Sequence, residues 1–153
     1  RSFHVTGVQT CALPIFLKYA NWQNIYCADE MLKQQLGPVF AEDCKHNDLT
    51  TCEVAITGCE ALVARTGTIV LSAQVAQGRT TSVYAPVHIC MAFSDQLVFD
   101  TKDALSALKQ KYTDQLPSLI TFATGPSRTA DIEKTLVVGV HGPKEVYCFL
   151  LES

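Results

Sequence analysis

The chain has 153 residues, 48% of them hydrophobic and 18% charged, with a formal net charge of −3. That balance describes a globular domain with a sizeable core and excludes a disordered chain. Mild acidity without a basic run argues against a nucleic-acid partner. The most apolar window, Val54–Leu71, contains Glu60 and Arg65, which argues against a membrane span.

Val5–Ile15 (Val-Thr-Gly-Val-Gln-Thr-Cys-Ala-Leu-Pro-Ile) resembles the in-frame translation of a common short-read sequencing adapter, and Arg1–His4 fits the adjoining index region. Residues 1–15 are therefore expected to be non-native and to lie outside the sheet, with one domain over 16–153 that lacks its natural N-terminus. The rival reading is a secretory segment. Its apolar run is short, is broken by Pro14 and has no basic flank beyond Arg1.

Asn24–Cys27 predicts a short strand. Asp29 is a plausible N-cap for a helix over Glu30–Leu36, with Met31, Leu32 and Leu36 on its inner face and Gly37-Pro38 as its stop. Cys44–Thr51 predicts a loop and Glu53–Thr57 a short strand. Gly58–Arg65 is compatible with a helix. Thr68–Ser72 and Val87–Phe93 predict buried strands, separated by a polar loop over Gln74–Thr81. Leu97–Phe99 predicts a further short strand. Thr101–Tyr112 predicts the clearest helix, with Leu105 and Leu108 inward. Leu119–Phe122 predicts a strand, Thr129–Leu136 a helix or helical turn, and Val146–Leu151 the last strand. The four most apolar runs, Thr68–Ser72, Val87–Phe93, Leu119–Phe122 and Val146–Leu151, are expected to be central strands of one sheet. This alternation implies a layered α/β domain with a mixed sheet.

Seven cysteines suggest a framework, but no pair has Cys-x-x-Cys spacing, so neither a zinc ribbon nor a ferredoxin-type cluster is implied. Apart from Cys11, which belongs to the adapter-like stretch, they are expected to pack as small hydrophobes in a reducing cytoplasm.

Gly125–Pro143 crowds Ser127, Arg128, Asp131, Glu133 and His141 between two Gly-Pro pairs. A strand end followed by a helix start would aim free N–H groups at an anion, and Arg128 would add a planar donor fork. Ser127, Arg128, Thr129 and Asp131 are thus candidate anion-binding residues. The alternative is that Ser127 or Thr129 caps the helix while Arg128 pairs with Asp131 or Glu133. Arg79, in the Gln-Gly-Arg loop, is a further anion candidate. Glu60, His88 and His141 are candidate catalytic groups: Glu60 for an apolar setting that would raise its pKa, the histidines for a shared pocket. Each has a plainer structural reading beside it. No spacing supplies a metal site.

Three blocks, Ile56–Gly67, Tyr84–Ile89 and Gly125–Pro143 with the closing strand, together resemble the lactate-utilisation protein C family, the LUD domain. The resemblance implies a three-layer α/β/α sandwich like the sugar-phosphate isomerase and CoA-transferase superfamily. It implies a cytoplasmic subunit of a system oxidising L-lactate to pyruvate, beside an iron–sulfur partner and a cysteine-rich partner. It implies that this subunit carries no cofactor. The rival functions are a stand-alone enzyme acting on a CoA thioester, folate or sugar phosphate, and a module that regulates a complex by binding a small anion.

Overall fold

The computed structural model describes residues 3–7, 21–36, 48–75, 80–132, 135–138 and 141–152. Its strands are β1 (Phe3–Gly7), β2 (Ile25–Cys27), β3 (Val54–Thr57), β4 (Ala61–Val63), β5 (Thr68–Ser72), β6 (Val87–Phe93), β7 (Leu97–Val98), β8 (Ile120–Ala123), β9 (Arg128–Ile132), β10 (Thr135–Val138) and β11 (Glu145–Leu151). Its helices are α1 (Glu30–Leu36), α2 (Thr81–Tyr84) and α3 (Thr101–Lys111).

The apolar, β-branched runs form strands where the sequence places them. They do not share one sheet. β1, β11, β6, β3 and β2, in that order, make a wholly parallel sheet. β7, β4, β5 and β8 make a second sheet, in which β5 runs antiparallel to both neighbours. Thr68–Ser72 and Ile120–Ala123 therefore belong to the second sheet, and Val87–Phe93 and Glu145–Leu151 to the first. A continuous apolar strand shows that both its faces are covered; it does not show which sheet it joins.

The α/β class stands: among the described residues, five of the eight strand pairings are parallel. The sheet layer between the helices is double. One face of the parallel sheet (Ile25, Val54, Ile56, Ile89, Met91, Phe149) packs on Leu32 of α1. The other face (Cys90, Ala92, Val146, Cys148) packs on Leu62, Ile69 and Leu71 of the second sheet. That sheet's outer face (Ala61, Val63, Val70) packs on Ala104 and Leu108 of α3.

Asp29 caps α1 as expected: Oδ1 accepts from the Met31 and Leu32 amides at 3.0 and 3.2 Å. Asp100 caps α3, accepting from the Lys102 amide, while Asp103 Oδ2 accepts from the Asp100 amide at 2.9 Å. Two inner faces differ from expectation. Met31 is 70% exposed, leaving Leu32 as the described anchor of α1, and Leu105 is 39% exposed because the seam of α3 runs through Ala104 and Leu108.

Three further expectations are corrected. Phe3–Gly7 belongs to the sheet as an edge strand, paired in parallel with Val146–Leu150 of β11. Gly58–Arg65 is not a helix: a bend at Gly58–Glu60 leads into β4, which pairs with β5. Thr129–Leu136 is not a helix either: β9 and β10 form an antiparallel pair with a register shift between Thr135 and Leu136. Its β-branched Thr129, Ile132 and Thr135 suit a ladder better than a helix interior.

Ile89 lies at the centre of the parallel sheet with no exposure. Ile89→Asp would place an unpaired charge in the seam against α1 and should cost several kcal/mol. The urea midpoint of the variant is expected to fall sharply or the chain to fail to fold. An unchanged midpoint would remove Ile89 from the core.

Candidate functional site

The densest described polar cluster surrounds Glu60. The bend at Gly58–Glu60 turns this side chain to the outer side of the second sheet, where it is 1% exposed. Oε1 accepts from Ser72 Oγ at 2.5 Å and from Tyr112 OH at 2.7 Å, and Oε2 from Lys111 Nζ at 2.8 Å. Burial pushes its pKa up. The hydrogen bonds from Lys111, Ser72 and Tyr112, with the Lys111 charge, outweigh burial and hold the carboxyl below its ordinary range, the reverse of the rise expected from its apolar setting. The same contacts raise Lys111 and Tyr112 against and with burial respectively. Ser72 Oγ also accepts from the Gln74 and Val75 amides at 3.2 Å. The cluster therefore joins the end of α3 to β5 and the turn after it. Sequence reasoning singled out Glu60 but missed its partners, because Lys111 and Tyr112 lie 51 and 52 residues away.

His88 sits on β6 in the layer between the sheets. Its Nε2 shares a 2.9 Å hydrogen bond with Thr57 Oγ1 of β3. Burial alone holds the imidazole down to about 4, so it is neutral at pH 7. Cys59, Cys90 and Cys148 lie in the same layer as free, buried thiols. The Cys59 carbonyl accepts from Gln96 Nε2 at 2.7 Å, and Gln96 Oε1 accepts from the Phe93 amide at 2.8 Å. Gln96 thus clamps the end of β6 to the Gly58–Glu60 bend.

The two Gly-Pro pairs meet. The Ser127 amide donates to the Pro143 carbonyl at 2.8 Å. Gly142 has φ +145, and a Cβ there would stand 3.0 Å from the Ser127 Cβ. Glycine meets both demands, the backbone conformation and the close approach. The Lys144 and Glu145 amides donate to the Pro86 carbonyl at 2.7 and 3.2 Å, which fixes this loop against the start of β6. Ser127 is half-buried, while Arg128, His141 and Lys144 are exposed.

Arg128 opens a strand, so the helix N-terminus expected beside it is not there. The bends lie at the amino ends of β6 and β11, not at the carboxyl end of the sheet. Thr129 and Asp131 fall within β9. Glu133 and Arg79 lie outside the described residues, as do Gly37-Pro38 and Cys44. Glu60, His88 and Arg128 occupy three separate settings with no hydrogen-bond partner in common, and none joins His88 to His141 among the described residues. No group of three metal-ligating side chains forms among the described residues, and no helix there is long and apolar enough to cross a membrane.

Two buried groups make stability fall in acid. His88 titrates near 6.5 when unfolded and near 4 when folded, so its contribution is full above 6.5 and is lost as pH falls toward 4. The depressed Glu60 contributes above 4.5 and loses that contribution as pH falls through its lower folded value. The urea midpoint should therefore decline below pH 6.5 and again below 4.5. His88→Asn should flatten the first decline and Glu60→Gln the second. Tyr112→Phe should cost about 1.5–3 kcal/mol at pH 7 through one lost bond to a buried carboxylate. An unchanged profile in both charge variants would remove these groups from the acid response.

The chain matches the LUD domain over residues 17–151. It is 34% identical over 102 residues to lactate utilization protein C of Deinococcus radiodurans, covering 66% of this chain and 47% of that protein. It is 38% identical over 102 residues to lactate utilization protein C of Bacillus subtilis, covering 65% of this chain and 42% of that protein. An uncharacterised protein of Neisseria meningitidis is 26% identical over 140 residues, 92% of this chain and 60% of its own length. The chain thus spans about half the length of such relatives. A crystal structure of a DUF162 family protein from Deinococcus radiodurans shares the fold, with TM-score 0.67 and 20% identity over 98% of this chain and 87% of that one. With the family profile covering nearly the whole chain, this protein belongs to the LUD domain family.

Proposed function

We propose that this LUD domain serves lactate utilisation, as a subunit of an iron–sulfur system that oxidises L-lactate to pyruvate. The observation that carries this reading is the similarity to lactate utilization protein C from several bacteria, at 34–41% identity over about 100 residues. In this reading the subunit carries no cofactor of its own and works in the cytoplasm beside an iron–sulfur subunit and a cysteine-rich subunit. The cysteines support it by their placement: Cys27, Cys52, Cys59, Cys90 and Cys148 are buried packing residues, and no pair in the chain has cluster spacing.

The subunit's own contribution is recognition of a carboxylate at the joined bends. Arg128 supplies the donor fork next to Ser127, and His141 lies on the second of the joined bends; Thr129, Asp131 and Arg79 are further candidates from the sequence alone. The guest is lactate or an acidic side chain of a partner subunit. Glu60 and His88 serve the fold in this reading, since the first is saturated by three donors and the second is neutral and enclosed. His141 is the exposed titratable group that remains.

The test is co-purification of the intact protein with the products of its neighbouring genes, followed by lactate-dependent reduction of an artificial acceptor. The assembly should turn over lactate, and the isolated chain should not, because removing electrons from lactate needs a carrier. Arg128→Lys should fold normally yet weaken activity or carboxylate affinity by about 1–3 kcal/mol, one charge-assisted hydrogen bond. Turnover by the isolated, cofactor-free chain would overturn the subunit reading. Full activity in Arg128→Lys would remove Arg128 from the site.

A further inference from the structure

The joined bends carry a second cation beside Arg128. Arg128 follows Ser127 and Lys144 follows Pro143, so the two flank the 2.8 Å hydrogen bond from the Ser127 amide to the Pro143 carbonyl. Both side chains are exposed, and neither has an ion-pair partner among the described residues, where Lys33, Arg65 and Lys111 are paired. Glu145, next to Lys144, turns to another group: its Oε2 accepts from Tyr147 OH at 2.5 Å. Two like charges held close together repel, and the free chain, with a net charge of −3, leaves that repulsion unrelieved here.

An apolar rim adjoins them. The Lys144 and Glu145 amides both donate to the Pro86 carbonyl, and α2 ends two residues before Pro86 with Val83 and Tyr84, 41% and 59% exposed. Exposed tyrosine beside arginine is the composition of a protein interface.

These features select among carboxylate guests. A site for a molecule as small as lactate encloses most of its surface. Here the charges stand on exposed loops, where one ion pair in water contributes little. A longer guest can meet both cations and cover the rim at once, and the complementary charge steers it in.

We propose that the joined bends and α2 form a docking surface for an acidic segment of a partner protein that alternates carboxylates with apolar side chains. This rests on reading the bends as the carboxylate-recognising part of the chain, and it is independent of the reaction the assembly performs.

The experiment is fluorescence anisotropy of a labelled, blocked Glu-Leu-Glu-Leu-Glu-Leu peptide on the intact protein, with unlabelled L-lactate and a Gln-Leu-Gln-Leu-Gln-Leu peptide as competitors. The acidic peptide should bind, should weaken as salt is raised, and should resist both competitors at equal concentration. R128E/K144E should weaken binding about tenfold or more, while K102E/K109E, on the exposed face of α3, should leave it unchanged. Y84S should weaken it severalfold. Should R128E/K144E fail to fold, R128Q/K144Q and the salt dependence carry the same test. If L-lactate displaces the peptide at equal concentration and R128E/K144E abolishes both, the bends are a small-molecule site: the docking surface is overturned and carboxylate recognition stands. If the peptide does not bind, or binds R128E/K144E as well as the unaltered protein, the docking surface is overturned. If, in addition, R128E/K144E leaves L-lactate binding unchanged or no L-lactate binds, carboxylate recognition at the bends falls with it. Unchanged binding in Y84S, or binding equal for the glutamine peptide, would also overturn the proposal, as would a concentration-dependent dimer that excludes the peptide, which would make the guest a second copy of this chain.

Discussion

Parallel strands need cover on both faces, and β11 and β6 have it: the α1 seam on one side, a second sheet on the other, while Ala55 of β3 packs with Cys52 and Ala85 instead. Because that cover is itself a sheet, its far face must be buried in turn, and α3 does so through Ala104 and Leu108. The domain is thus a sequence of three apolar seams, each required by the one before. Burying a single large aliphatic side chain is worth about 1.5–3 kcal/mol, against about 1 kcal/mol net for an ordinary hydrogen bond. The seams set the topology, and the polar contacts select among local arrangements. In the middle seam small Cys90, Ala92 and Cys148 oppose large Leu62, Ile69 and Leu71, so the thiols act as volume rather than as chemistry.

Polar groups drawn into such a stack must be satisfied there. Glu60 turns off the first strand layer and is met by a hydroxyl, a phenol and an ammonium. Removing one donor costs more than the bond it made, because the remaining carboxylate stays buried. His88 solves the same problem differently, by staying neutral and sharing a hydrogen bond with Thr57. Both were candidate catalytic groups because an acid or a histidine in an apolar run is chemically suggestive. The surrounding geometry gives each a structural occupation.

The strands were legible wherever β-branched residues ran together: Thr68–Ser72 and Val87–Phe93 match to the residue. So was α1, from Asp29 through Leu36, because its cap is a local signal. Sheet membership was not, since burial on both faces is common to a parallel core and to a sheet sandwiched between a sheet and a helix. Gly58–Arg65 and Thr129–Leu136 were misread because Ala, Leu, Glu and Arg favour helix only until tertiary pairing overrides them. The inward face of α3 was displaced by one residue, from Leu105 to Ala104, because a small side chain in a close seam leaves no hydropathy mark. At the candidate site, the Gly-Pro pairs announced the bends, but nothing local announced that Ser127 would donate to Pro143, or that Lys111 and Tyr112 would reach Glu60.

The loss of the helix N-terminus changes what the joined bends can offer. A helix end would supply fixed N–H donors and a dipole whatever the side chains do. A strand start supplies neither, so under the proposed function a carboxylate would be met by Arg128 and its exposed neighbours alone. Their placement then depends on two loops held together by the Ser127–Pro143 hydrogen bond and by the close approach at Gly142, where a Cβ would stand 3.0 Å from that of Ser127. The Lys144 and Glu145 amides tie the second loop to Pro86, at the head of β6. The exposed charges are thereby referenced to the buried parallel core. Side chains carried on loops gain fixed positions from such anchoring, so the bends are held to the core as well as turned by their Gly-Pro pairs.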